Sequence, residues 1–144
     1  MTLIEAAMSF PNGILLSADE TKLYVANSDP ARAVWMVFEL DPKGSAVSRA
    51  VFADVTDRVG KGMPGLPDGM AIDEEGNLWA TGPGGVLVFS PSAELLGWIE
   101  TGSAIANCAF GEEGNSLFLA AHHRLARVRT RTRGLNLDPR RPTF

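Results

Sequence analysis

Along this chain, short apolar runs alternate with polar turns, and the alternation repeats. Ile14-Leu15-Leu16 follows Phe10-Pro11-Asn12-Gly13, Met70-Ala71-Ile72 follows Leu66-Pro67-Asp68-Gly69, and Ala109-Phe110 follows Ile105-Ala106-Asn107-Cys108. Each unit continues through an acidic turn into a second apolar run. Asp19-Glu20-Thr21-Lys22 leads into Leu23-Tyr24-Val25-Ala26, Asp73-Glu74-Glu75-Gly76-Asn77 into Leu78-Trp79-Ala80, and Gly111-Glu112-Glu113-Gly114-Asn115 into Leu117-Phe118-Leu119-Ala120. Short strands separated by Gly-, Asn- and Pro-bearing turns predict an all-β meander, and no segment sustains a helical period. A unit of this size, repeated, is the pattern of a β-propeller blade.

The pattern sets out the chain as a partial β-propeller over residues 1–137, with about three four-stranded blades. The blades are predicted over residues 12–55, 68–101 and 106–133, after a last strand of a preceding blade over residues 2–6. An irregular basic tail occupies residues 138–144. In the middle blade the turns place strands at Gly69–Asp73, Asn77–Gly82, Gly85–Ser90 and Leu95–Glu100. The third blade reads as Ala106–Phe110, Ser116–Ala121 and Arg124–Thr132, with its fourth strand missing or irregular. The first blade carries an apparent insertion, Ser28-Asp29-Pro30-Ala31-Arg32, before a strand at Val34–Leu40. A Gly-rich loop from Asp57 to Pro67, holding Lys61 and Met63, leads to Asp68; loops of this kind commonly lie over binding sites.

A propeller brings the starts of its inner strands to one central channel, so the repeat directs Asn12, Asp68 and Asn107 to a common place. An amide oxygen and a carboxylate are hard donors suited to calcium, magnesium or manganese, and the glycine after each of the first two leaves the donor unobstructed. A divalent ion there would polarise a carbonyl and acidify a water, as ester or lactone hydrolysis requires. Spacing alone equally allows Asn12 and Asp68 to be strand-start residues that hydrogen-bond to backbone.

Composition changes the picture little. The 144 residues are 45% hydrophobic and 21% charged, which suits a globular chain but gives few residues for a propeller, since three blades make an arc and not a ring. No apolar run approaches the roughly 20 residues needed to cross a bilayer. Met1–Glu5 lacks the basic segment and long apolar core of a signal peptide, so a soluble, cytoplasmic chain is expected. The net charge of −4 hides an asymmetry: residues 1–121 carry 6 Lys and Arg against 16 Asp and Glu, whereas residues 122–144 carry 7 Arg against Asp138 alone. Arg127, Arg129, Arg131 and Arg133 alternate along one strand face. Without interleaved aromatics this reads as a solvated face and not a nucleic-acid site. His122 and His123, adjacent in a strand, are expected to face opposite ways and not to share a metal. Cys108, the single cysteine, reads as a buried thiol, and Trp35, Trp79 and Trp98 read as packing between blades. No GxSxG motif supports a serine hydrolase.

At five places the chain resembles the gluconolactonase, senescence-marker-protein and luciferin-regenerating-enzyme family of six-bladed propellers. These are Phe10-Pro11-Asn12-Gly13, Leu23-Tyr24-Val25-Ala26-Asn27-Ser28-Asp29-Pro30, Gly65-Leu66-Pro67-Asp68-Gly69-Met70, Thr81-Gly82-Pro83-Gly84-Gly85-Val86 and Asn107-Cys108-Ala109-Phe110-Gly111. The resemblance covers residues 3 to 134 and matches the C-terminal half of the family. It implies hydrolysis of sugar or related lactones, dependent on a divalent metal, calcium ahead of zinc, manganese and magnesium. It implies that Asn12 and Asp68 are metal ligands, that Asp68 is also the general base acting on metal-bound water, and that Asn107 lines the channel. A glutamate ligand from the family's N-terminal half has no counterpart here, and Glu5, in a different context, does not replace it. The expectation is therefore a lactonase half-propeller, weak or inactive alone, whose uncovered blade sides promote self-association. The alternative is a non-catalytic propeller fragment or interaction module. The implied partner is a small-molecule lactone, with no nucleic acid and no membrane.

Overall fold

Strand-forming residues and tight turns build three antiparallel sheets in chain order. In the computed structural model, which describes residues 3–135, the first sheet comprises β1 (Pro11–Leu16), β2 (Lys22–Asp29), β3 (Arg32–Leu40) and β4 (Ala46–Asp54). The second comprises β5 (Met70–Ile72), β6 (Leu78–Gly82), β7 (Gly85–Phe89) and β8 (Leu95–Glu100). The third comprises β9 (Ile105–Gly111), β10 (Ser116–Ala121) and β11 (Arg124–Arg129). Each sheet is a meander in which sequential strands pair, and β1, β5 and β9 stand side by side. The chain is thus an arc of three propeller blades with these strands innermost.

The blades are glued by alternate residues of their strands. Tyr24, Ala26 and Trp35 of the first blade meet Met70, Leu78, Ala80, Leu87 and Phe89 of the second. The Trp35 and Phe89 rings lie 5.5 Å apart, and Phe52 stands edge-on to both Tyr24 and Phe89. Between the second and third blades lie Ala71, Val86, Ile105, Cys108, Leu117 and Leu119, with Trp79 edge-on to Phe110 at 5.5 Å. Burial of each large side chain contributes about 1.5–3 kcal/mol, so these two seams hold the arc together. Burial also pushes the Cys108 thiol up to about 12. Among the described residues no blade faces the opposite side of the first blade (Leu23, Val25, Val34, Met36 and Phe38), which is covered in part by Met8.

The repeated acidic turns have a structural cause. Asp73 is fully buried, and its carboxylate accepts hydrogen bonds from the Glu75 and Asn77 amides, the Asn77 side chain and the Trp79 indole, at 2.8–3.0 Å. In the first blade Asp19 closes its turn on Ser17 and Thr21, which lowers its pKa to about 2. In the third blade Glu112 accepts from Ser116 Oγ at 2.7 Å and pairs with Arg127.

Several expectations are corrected. Ser28–Arg32 is no insertion: β2 runs to Asp29, pairs it with Arg32, and turns on Pro30-Ala31 alone. The Asp29 carboxylate accepts the Ala31 N–H and so closes that turn locally. Residues 3–6 form no strand; Glu5 instead pairs with Arg49 on β4. Trp98 lies outside the seams, 52% exposed, beneath the Arg58 guanidinium. His122 and His123 form the β10–β11 turn, and their Nδ1 atoms approach to 3.0 Å instead of diverging. The arginine-bearing strand ends at Arg129, so Arg131 and Arg133 lie beyond it, and Arg133 donates to the Glu113 carbonyl. The tail over residues 138–144 lies outside the described residues.

Candidate metal centre

The three strand starts are places where regular pairing breaks. β1 pairs Pro11 with Asn27 and then Ile14 with Val25, so the ladder shifts at Asn12-Gly13. On β9 the shift falls beside Asn107. At the second blade Thr81 serves two residues: it accepts from the Asp68 N–H at 3.0 Å and donates to the Gly69 carbonyl through both its N–H (2.9 Å) and its hydroxyl (3.0 Å). Bulges of this kind re-aim side chains and are common beside functional sites.

Neighbouring strand starts lie against one another. A Cβ on Gly13 would sit 2.8 Å from the Asp68 carbonyl carbon, and one on Gly69 would sit 2.7 Å from Asn107 Cα. Neither glycine has a positive φ. Their role is thus close approach of adjacent blades. The Gly69 N–H also donates to the Ala106 carbonyl at 3.0 Å. In this way the structure brings Asn12, Asp68 and Asn107 to successive innermost positions.

Asn12 is held from behind. The Asn27 side chain accepts the Phe10 N–H at 3.0 Å, and the Ser28 N–H donates to the Phe10 carbonyl at 2.8 Å, so the entry to β1 is tied to the end of β2. The Asn12 amide donates to Ser28 Oγ at 3.2 Å, and Ser28 donates to the carbonyl of Pro67, the residue before Asp68. Sequence reasoning missed Ser28 because it placed that residue in an insertion; Pro30, a turn residue two positions further on, was the available signal that the strand runs past Ser28. The Asp57–Pro67 loop also bears on this region. Gly84 N–H bonds to the Pro64 carbonyl at 3.0 Å, and the loop ends at the carbonyl that Ser28 holds.

Electrostatically, Asp68 stands apart from the turn carboxylates. It is half-buried, receives no hydrogen bond among the described residues, and has its pKa raised by burial alone. Asn12 and Asn107 are exposed at its sides. The Asn107 side-chain oxygen already accepts the Cys108 N–H at 2.9 Å, which suits a lining residue better than a ligand. A carboxylate without a hydrogen-bond donor and an exposed amide on the adjacent strand start are donor types that fit a hard divalent cation. No group of three or more His, Cys, Asp or Glu stands together among the described residues, so the set is mixed amide and carboxylate. Glu5, bound to Arg49, does not join it. Apolar concavities lie on the uncovered face of the first blade, lined by Ile4, Ile14, Leu23 and Phe38, and between the innermost strands, lined by Leu15, Met70, Ile72 and Phe110.

With this geometry in place, the comparisons with known proteins become informative. Residues 1–123 match the model of the SMP-30/Gluconolactonase/LRE-like region. The chain belongs to this family. It is 48% identical over 137 residues to a gluconolactonase of Zymomonas mobilis, covering 93% of this chain and 38% of that protein. Among solved family structures, a gluconolactonase from Xanthomonas campestris superposes with a TM-score of 0.71 at 33% identity, over 83% of this chain and 37% of that one. Regucalcin from Agrobacterium tumefaciens, described as a calcium-binding protein, superposes with a TM-score of 0.67 at 26% identity, over 85% and 42%. The chain therefore spans less than half the length of each of these family members.

Proposed function

We propose that this chain carries part of the metal and substrate site of a lactonase of the gluconolactonase type, acting on sugar or related lactones. Asn12 and Asp68 would hold the divalent cation, with calcium the first choice by likeness to the calcium-binding regucalcin. When bound, such a cation polarises an ester carbonyl and acidifies water. Asp68 would take the proton of the attacking water on its carboxylate. The water oxygen bonds to the carbonyl carbon, the lactone C–O bond breaks, and the released ring oxygen would take the proton held by Asp68, giving the open hydroxy acid and restoring the carboxylate. Burial without a donor raises the basicity of Asp68, which serves a proton acceptor. Asn107 would line the channel against Gly69.

The observation that supports this reading is the Ser28 link, which ties the Asn12 amide to the carbonyl just before Asp68, in a chain 48% identical to a gluconolactonase. Its test is hydrolysis of gluconolactone by the purified chain with calcium, with EDTA, and as Asp68→Asn. Metal-dependent turnover lost in the variant supports it; a folded chain that binds no calcium, or whose turnover survives EDTA and Asp68→Asn, opposes it. A second reading, a non-catalytic module that associates through its blade sides, is favoured by Ile14, 66% exposed, and Leu125, 79% exposed, at the two ends of the arc.

A further inference from the structure

We propose that Ser28 is a positioning residue that sets which end of the Asn12 amide faces the metal, and that it couples this choice to the placement of Asp68. The inference rests on the metal reading of Asn12 and Asp68. A serine hydroxyl has one proton to give and lone pairs to receive. The Pro67 carbonyl can only accept, so Ser28 spends its proton there. Toward Asn12 the same oxygen can then only accept, and only the NH2 end of the Asn12 amide can meet it, at 3.2 Å. The Asn12 oxygen is thereby turned away from Ser28, and it accepts no hydrogen bond among the described residues. One hydroxyl proton thus leaves an oxygen, and not an NH2 group that would repel a cation, at the free end of the Asn12 amide. The same bond fixes the peptide carbonyl from which the Asp68 backbone departs. Partners that orient a ligand in this manner are commonly worth about 10–100-fold in metal affinity.

The test compares Ser28→Ala, which removes the proton, with Ser28→Thr, which keeps a hydroxyl on a residue at home in a strand. The chain is labelled with nitrogen-15, and the Asn12 side-chain resonance is assigned by its loss in Asn12→Ser. Binding is read by terbium luminescence, with calcium as competitor. We expect Ser28→Ala to keep a native backbone spectrum, shift the Asn12 side-chain nitrogen, and weaken terbium and calcium binding at least ten-fold. Ser28→Thr should restore both signals. Unchanged affinity and an unmoved Asn12 resonance in Ser28→Ala would overturn the proposal. So would a folded Ser28→Thr that restores neither. If the unaltered chain binds neither ion, the metal reading falls; the orientation of Asn12 then stands or falls on the nitrogen shift alone.

Discussion

Gly13 lies against the Asp68 carbonyl, so close that a Cβ on Gly13 would sit 2.8 Å from the carbonyl carbon and nearer still to its oxygen. Backbone cannot yield there without moving one blade against the next. Gly13→Ala should therefore destabilise the chain by at least about 1–3 kcal/mol, the usual cost of overpacking, as read by urea denaturation. Gly97, which has open space around it, provides the control; Gly97→Ala should change little.

Asp68→Asn should abolish any metal-dependent lactone hydrolysis and leave the fold no less stable at neutral pH. The folded-state pKa of Asp68 is raised by burial, so the folded chain binds its proton more tightly than the unfolded one. That contribution is fully present below the unfolded pKa near 3.8 and is lost as pH rises through the higher folded value. At neutral pH the ionised carboxylate thus opposes folding. Melting curves across pH 3–7 check the sign: the difference between Asp68→Asn and the unaltered chain should grow as pH rises.

Asp73→Ala should be far more damaging, though it lies outside the candidate centre. Its loss leaves the Asn77 backbone N–H and the Trp79 indole without their acceptor, while the Asn77 side chain keeps only Glu75. Buried donors left unpaired cost about 1–3 kcal/mol each. Tryptophan fluorescence during urea unfolding reports both the stability loss and the loosening of the Trp79–Phe110 contact.

The exposed side of the first blade should drive association. Ile14 and Leu16 are 66% and 41% exposed beside Leu23 and Val25, and uncovered apolar faces of this kind seek partners. Light scattering of the purified chain should show a mass above the monomer that rises with concentration. Ile14→Lys with Leu16→Glu should lower it. A monomer at high concentration in the unaltered chain would refute this expectation.

Because each blade repeats an apolar run, an acidic turn and a second apolar run, local chemistry is enough to define the strands. Leu95–Glu100 and Ser116–Ala121 were legible residue for residue, since period-two burial and turn residues act within a few positions. The family, too, was legible in the strand-start motifs around Asn12 and Asp68. What the string of residues could not express is which partner each polar group finds. Asp19, Asp73 and Glu112 look as available as Asp68, yet hydrogen bonds consume them in their own turns. Only packing reveals that Asp68 lacks donors among the described residues. Ser28 looked like part of an insertion until the β2–β3 register drew it into the strand and under Asn12. Trp98 shares its residue type with Trp35 and Trp79, but it sits exposed on the last strand of its sheet, against the Arg58 guanidinium. Local pattern and turn chemistry thus set the strands and the candidate residues. Blade-to-blade contact, which joins residues about 40–60 positions apart such as Ser28 with Pro67 and Gly13 with Asp68, decided which of them meet.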